Sequence, residues 1–202
     1  MKYIIVPLNA FNKEEVLKQG QKSFIRTIAE SEANGVEIRR ELLTNGNQEL
    51  DDLGLEIKKY GLFTVYSAPV ELWKIDYSLN LDELACIFKE GMHLNAKWIK
   101  VSLGHFDKQY SSMEDLRSLL SDFENLYLLV ENDQTPYGGN IKNLKSFFEV
   151  VTDIRLPIKM TFDVGNWAYC GENMEACLKL LEPYIGYLHL KQVERQGQSF
   201  VT

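Results

Sequence analysis

The 202-residue sequence predicts an α/β protein, a parallel (βα)8 TIM barrel of which seven strands and six helices are visible. Three observations predict it. Short β-branched and aromatic runs alternate with amphipathic helical patterns at about 30 residues per unit, the spacing of βαβ units. The turn after the first run, Pro7-Leu8-Asn9-Ala10-Phe11, holds no glycine, whereas a doubly wound nucleotide-binding sheet wants a glycine-rich turn there. No low-complexity linker and no break in composition divides the chain, so one domain over residues 1–202 is expected.

The strand-like runs begin near Tyr3, Gly35, Leu62, Lys97, Asn125, Ile158 and Tyr187, at intervals of 32, 27, 35, 28, 33 and 29 residues. Each interval carries a helical pattern. The first spans Lys13 to Glu32, with Asn12 three residues before Glu15 as an N-cap signal. The second spans Gln48 to Tyr60, with Leu50, Leu53, Leu55 and Ile57 as its apolar positions. The third runs from Leu81 to His93 behind Asn80 and Glu83, and the fourth from Met113 to Glu124 behind Ser112 and Asp115. The fifth covers Ile141 to Val151 and the sixth Met174 to Tyr184, with Tyr137-Gly-Gly-Asn140 as a flexible turn before the fifth. A typical barrel of this kind needs about 250 residues. The shortfall is the size of a seventh helix, an eighth strand and an eighth helix, so the domain is expected to be C-terminally incomplete.

Composition excludes several classes. Lys plus Arg is 22 and Asp plus Glu is 29, a net charge of −7 that disfavours a general nucleic-acid binder. Apolar residues at 45% exclude a disordered chain. The N-terminal apolar run is four residues, short of a signal-peptide core, and no stretch approaches a membrane span. Cys86, Cys170 and Cys177 form no metal-type spacing and read as reduced thiols. A cytoplasmic protein with no membrane partner is expected.

In a parallel barrel the chemistry lies at the C-terminal ends of the strands. Those ends offer Glu37 and Arg39 on strand 2, Tyr66 and Ser67 on strand 3, and Lys100, Ser102 and His105 on strand 4. Strand 5 offers Glu131 and Asp133, strand 6 Asp163 and Asn166, and strand 7 His189 and Lys191. Glu131, Asp163 and His189 stand on three successive strands and can converge. Two carboxylates and an imidazole suit a divalent ion: Mn, Co, Mg or Zn. Glu37 and Arg39 can pair with each other, and Lys191 can hold a substrate oxygen or phosphate. Trp167 at the mouth and Trp73, placed in a loop after strand 3, are candidate walls for a sugar, whereas Trp98 reads as packing.

The order Gly-Val-Glu-Ile-Arg on strand 2, Val-Glu-Asn-Asp on strand 5, Phe-Asp-Val-Gly-Asn on strand 6 and His-Leu-Lys-Gln on strand 7 resembles the xylose-isomerase-like barrels. These include sugar phosphate isomerases and epimerases, ketose 3-epimerases, inosose dehydratases and metal-dependent apurinic-site endonucleases. The resemblance runs from strand 1 to strand 7. It implies Glu131, Asp163 and His189 as metal ligands, with a fourth ligand, a Glu on strand 8, outside this chain. It also implies Arg195, six positions after the His, as a substrate-binding residue. The chain departs from the epimerase pattern at Asn166, where a His is common, and at Tyr137, where a Glu is common.

The resemblance implies a metal-dependent sugar or sugar-phosphate isomerase or epimerase of carbohydrate metabolism. Glu131, or the strand-8 Glu, would abstract a proton next to a carbonyl to give an enediolate, and Glu37, Arg39, Tyr66, His105, Asn166, Trp167, Lys191 and Arg195 would bind a sugar or polyol. A dehydratase of inosose or dehydroshikimate type and a non-catalytic small-molecule-binding barrel are the alternatives. The endonucleases need many His ligands, and this chain has His93, His105 and His189 alone. The resemblance also implies a homo-oligomer as the assembly to expect, and a 202-residue form short of one catalytic Glu.

Overall fold

A computed structural model describes residues 4–44, 46–197 and 199–201. Seven strands are hydrogen-bonded in sequence order: β1 Ile5–Pro7, β2 Gly35–Arg39, β3 Phe63–Trp73, β4 Trp98–Gly104, β5 Tyr127–Glu131, β6 Ile158–Asp163 and β7 Ile185–His189. The pairs β1–β2, β2–β3, β5–β6 and β6–β7 are parallel. A helix stands in every connection: α1 Lys13–Gln19 and α2 Ile25–Glu30, then α3 Gly46–Lys59, α4 Leu81–His93, α5 Met113–Ser121, α6 Ile141–Asp153, and α7 Asn166–Tyr169 with α8 Met174–Leu181. This is the topology of the first seven strands of a TIM barrel. A two-stranded antiparallel hairpin, β8 Glu194–Gln196 and β9 Ser199–Val201, follows β7. Among the described residues no helix is long and apolar enough to cross a membrane.

Three elements differ from the sequence expectation. The single helix expected over 13–32 is two helices, because Gly20 takes φ 75° and ψ 150°, outside the helical well, and a 3-10 turn at Gln21–Phe24 bridges them. Strand β3 extends through Trp73, so Trp73 is a buried strand residue packed 5.8 Å from the Phe106 ring and not a loop wall for substrate. The sixth connection carries the short α7 ahead of the expected helix, and the hairpin was unforeseen. The expected start of strand 1 at Tyr3 lies outside the described residues.

The chain divides into two compact units. The first holds the residues up to Pro69 with Asp82–Lys100 and Phe123–Tyr127. Its helix α4 buries Leu84, Ile87, Phe88 and Gly91, spaced i, i+3, i+4, i+7 as one helical face requires. A Cβ at Gly91 would run into the Ile99 side chain, so the glycine lets α4 lie close on β4. On the polar side, Glu90 accepts from the Arg40 guanidinium at 2.8 Å and 3.1 Å and from the Tyr66 hydroxyl at 2.7 Å, while Arg40 also meets Glu83. Burial alone would raise the Glu90 pKa. The donors from Arg40 and Tyr66 outweigh it and hold the carboxylate below its usual value.

The second unit holds Val70–Leu81, Val101–Asp122 and the chain from Leu128 on. Helix α6 buries Leu144, Phe147, Phe148 and Val151 at the same helical spacing. Phe147 packs edge-on against Phe106 at 5.1 Å, and Phe148 stacks on Tyr184 at 5.4 Å. Cys177 is buried in α8, and that burial pushes its thiol up to about 12. It is therefore a packing residue, while Cys86 is exposed.

The Glu90 cluster sets a pH dependence. Its pKa is lower folded than unfolded, so below pH 7 the unfolded state binds the proton first and stability falls with pH. The loss begins near the ordinary value of 4.5 and continues as pH drops through the lower folded value. Urea unfolding of Glu90→Gln at pH 7 is expected to show a loss of about 1–3 kcal/mol, as for hydrogen bonds to a charged group. That gap should narrow as the pH falls below 4.5. A gap that stays constant with pH would contradict the assignment.

Candidate metal centre

Glu131 ends β5, Asp163 ends β6 and His189 ends β7. The register explains how they meet. Glu131 pairs with Thr161, and Asp163, two residues further along β6, pairs with His189. Side chains on a strand alternate with period 2, so all four residues share one face. A bulge between Met160 and Thr161 brings Asp163 level with His189. His189 Nδ1 lies 3.1 Å from Asp163 Oδ2 and 3.3 Å from Glu131 Oε1. One ligand atom from each residue falls within 4.8 Å of the other two.

Asp163 is held at every polar atom. The Asn132 side chain, fully buried, accepts from the Asp163 backbone N–H at 2.8 Å and donates to its carbonyl at 2.9 Å. The backbone N–H groups of Gly165 and Asn166 donate to Oδ1 at 2.9 Å and 3.0 Å, which starts the turn into α7. Oδ2 is left toward His189. Asn166 is buried and extends the net: its Nδ2 donates to the Asn132 carbonyl at 2.8 Å, and its Oδ1 accepts from Gln134 Nε2 and Lys191 Nζ, each at 3.1 Å. Lys191 also lies over the Tyr169 ring at 5.5 Å.

The donor set fits a divalent ion. Ligands about 2.0–2.2 Å from one ion lie within roughly 4.4 Å of each other, close to the spread found. Hydrogen-bonded carboxylates and a fixed ligand strand are the supports such sites use. Glu131, Asp163 and His189 would hold the ion.

The other sequence-nominated residues fall into three groups. Asn166 and Lys191 join the net beside the triad, as above. His105 packs against Tyr137 with ring centroids 3.8 Å apart. Arg195 is exposed and donates through Nε to the Gly197 carbonyl at 3.1 Å, within its own hairpin. Trp167 is fully buried, tilted against Phe162 at 5.3 Å, so its ring is packing and not an open wall. The expected flexible turn at 137–140 is filled: a Cβ on Gly138 would come 2.5 Å from the Asp133 carboxylate, and one on Gly139 would strike Cys170 Sγ.

Glu37, Arg39 and Tyr66 belong to the first unit. Glu37 is fully buried, with Arg39 Nη1 at 2.8 Å and Lys100 Nζ at 2.9 Å on the same oxygen. Gln21 fixes the Arg39 backbone from both sides, at 2.8 Å and 2.9 Å. Tyr66 pairs with Ile38 and Ser67 with Arg39, so it is Ser67 that shares the face of Glu37 and Arg39. Tyr66 points the other way, to Glu90 on α4. Sequence reasoning missed Asn132 and Gln134. Their only signal was adjacency to Glu131 in the run Glu-Asn-Asp-Gln.

No family model matches the sequence, and no curated protein matches it. Solved structures do. An allulose 3-epimerase from Methylomonas sp. is similar at 13% identity and TM-score 0.69 over 94% of this chain and 72% of that one. A probable 3-DHS dehydratase, AsbF, involved in petrobactin synthesis in Bacillus anthracis, is similar at 15% identity and TM-score 0.62 over 96% and 74%. A xylose isomerase domain protein from Planctomyces limnophilus matches at 14% identity and TM-score 0.61 over 98% and 78%. At these identities the likeness is one of fold, that of a TIM barrel.

Two substitutions test the geometry. Asn132→Ala strands the Asp163 backbone groups in the interior and is expected to cost about 2 kcal/mol or more in chemical denaturation, one buried group for each lost bond. Glu37→Ala leaves Lys100 and Arg39 without their shared carboxylate and is expected to cost about 3–5 kcal/mol. The double change Glu37→Met with Lys100→Met should recover much of that loss in the same denaturation measurement.

Proposed function

We propose that the chain is a metal-dependent isomerase or epimerase of a sugar or sugar phosphate, acting by proton abstraction next to a carbonyl. The observation that carries the reading is the convergence of Glu131, Asp163 and His189 within 4.8 Å at the ends of three successive strands. A divalent ion bound there would polarise the substrate carbonyl and stabilise the negative charge that develops on its oxygen. Within the triad Asp163 Oδ1 already accepts from the backbone N–H groups of Gly165 and Asn166. Proton transfer therefore falls to Glu131, whose longer side chain reaches the same point from β5. Glu131 takes the proton from the carbon beside the carbonyl, leaving an enediolate. It then returns the proton to the former carbonyl carbon, while the neighbouring hydroxyl gives its proton to the former carbonyl oxygen and becomes the new carbonyl, which completes the isomerisation. Inversion at the first carbon needs a second acid on the opposite face of the substrate.

Lys191 gives a second reading some weight. Its ammonium, 3.1 Å from Asn166 Oδ1, puts a positive charge beside the triad. A polyol acid or a phosphorylated sugar would match that charge, and with a hydroxyl β to the abstracted proton the same first step leads to loss of water. That is the dehydratase alternative.

Calorimetric titration with Mn²⁺ and Co²⁺ tests the metal centre. Saturable binding by the wild type, abolished in Asp163→Asn, is the expected result. A panel of ketoses, ketose phosphates and cyclic keto-acids then separates the readings by product: a C-epimer or aldose for the first, an absorbing enone for the second. A wild type that binds no divalent ion would overturn both.

A further inference from the structure

Thr161 carries an observation that the triad does not use. It is fully buried in β6, and its hydroxyl finds no hydrogen-bond partner among the described residues. It pairs with Glu131 on one side and with Tyr187 on the other, and it precedes Asp163 by two residues. Its side chain therefore stands on the same face as Glu131, Asp163 and His189, one step deeper along β6. A valine would fill the same volume and suit a strand equally well. An orphaned hydroxyl in such a place costs folding energy unless something answers it. Buried polar sites of this kind are answered by an ordered water with two or more polar partners.

We propose that Thr161 is a positioning residue for Glu131. Its hydroxyl donates to one buried water, which donates in turn to the Glu131 carboxylate and fixes the rotamer in which that carboxylate meets the ion. The distances allow it. Neighbouring strands are about 4.8 Å apart, and two hydrogen bonds of about 2.8 Å through one water reach roughly 5.6 Å. A hydroxyl can turn its proton toward the water, whereas a carboxylate can only accept, so the chain hydroxyl–water–carboxylate has one direction. This inference rests on the reading of the triad as a metal centre.

The test is Mn²⁺ titration by calorimetry of the wild type, Thr161→Val and Thr161→Ser, each melted in parallel without metal. Outer supports of metal ligands are commonly worth 10–100-fold in affinity. Thr161→Val is expected to bind Mn²⁺ about 10-fold more weakly while still melting cooperatively without metal, because a methyl group of the same volume keeps the packing and loses the hydrogen bond to the water. Thr161→Ser, which keeps the hydroxyl, is expected to restore most of that affinity. If the wild type binds and Thr161→Val binds as tightly, the proposal falls and the metal centre stands. If the wild type binds no Mn²⁺, both fall. Should Thr161→Val fail to fold, a high-resolution crystal structure of the wild type decides. A water within hydrogen-bond distance of both Thr161 Oγ1 and Glu131 supports the proposal, and a direct bond from Oγ1 to a backbone carbonyl overturns it.

Discussion

Asp163 is where the hydrogen bonding of three successive strands meets. Its backbone is gripped by the buried Asn132 amide just after β5, its Oδ1 by the amides that lead into α7, and its Oδ2 faces His189 on β7. A carboxylate so tied has one free direction for chemistry. The grip also explains the local chain path. Oδ1 can accept from two successive backbone amides only if the chain turns at once after β6, which is why α7 begins at Asn166. Asn166 then passes the constraint on to Gln134 and Lys191. Asp163 is thus set by a network whose members are mostly not ligands.

The first unit meets a related problem. A parallel sheet with helices on its faces buries its strands, so polar side chains on the inner face must find one another. Glu37, Arg39 and Lys100 do so on a single carboxylate oxygen, with Gln21 closing the Arg39 backbone. On the opposite face Tyr66, Arg40, Glu83 and Glu90 form a second closed cluster. Truncating one partner of such a group costs more than the group contributes, because the remaining charge stays buried. These clusters therefore specify the arrangement of β2, β3, β4 and α4 more than they stabilise it.

The second unit gathers its polar side chains at the ends of β5, β6 and β7. Glu131 and His189 are half-buried, Lys191 is half-buried at the edge, and Thr161 is fully buried with an unanswered hydroxyl. The fold is shared with an allulose 3-epimerase and a probable 3-DHS dehydratase.

The sequence by itself determined the strand–helix alternation, the helix α4 to its last residue, and the three residues that converge. Each of these is a local signal: a period of 3.6 or 2, an N-cap, or a polar residue ending an apolar run. It also carried the pairing of Glu37 with Arg39, two residues apart on one strand face. The tertiary structure alone decided the rest. Asn132 reaches Asp163 across 31 residues of sequence, and Lys100 reaches Glu37 across 63. Which of Tyr66 and Ser67 faces Arg39 depends on the β2–β3 register, and the level of Asp163 with His189 depends on a bulge. Register is a long-range quantity. Shifting it by one residue turns every side chain to the other face, and no period within a single strand records it.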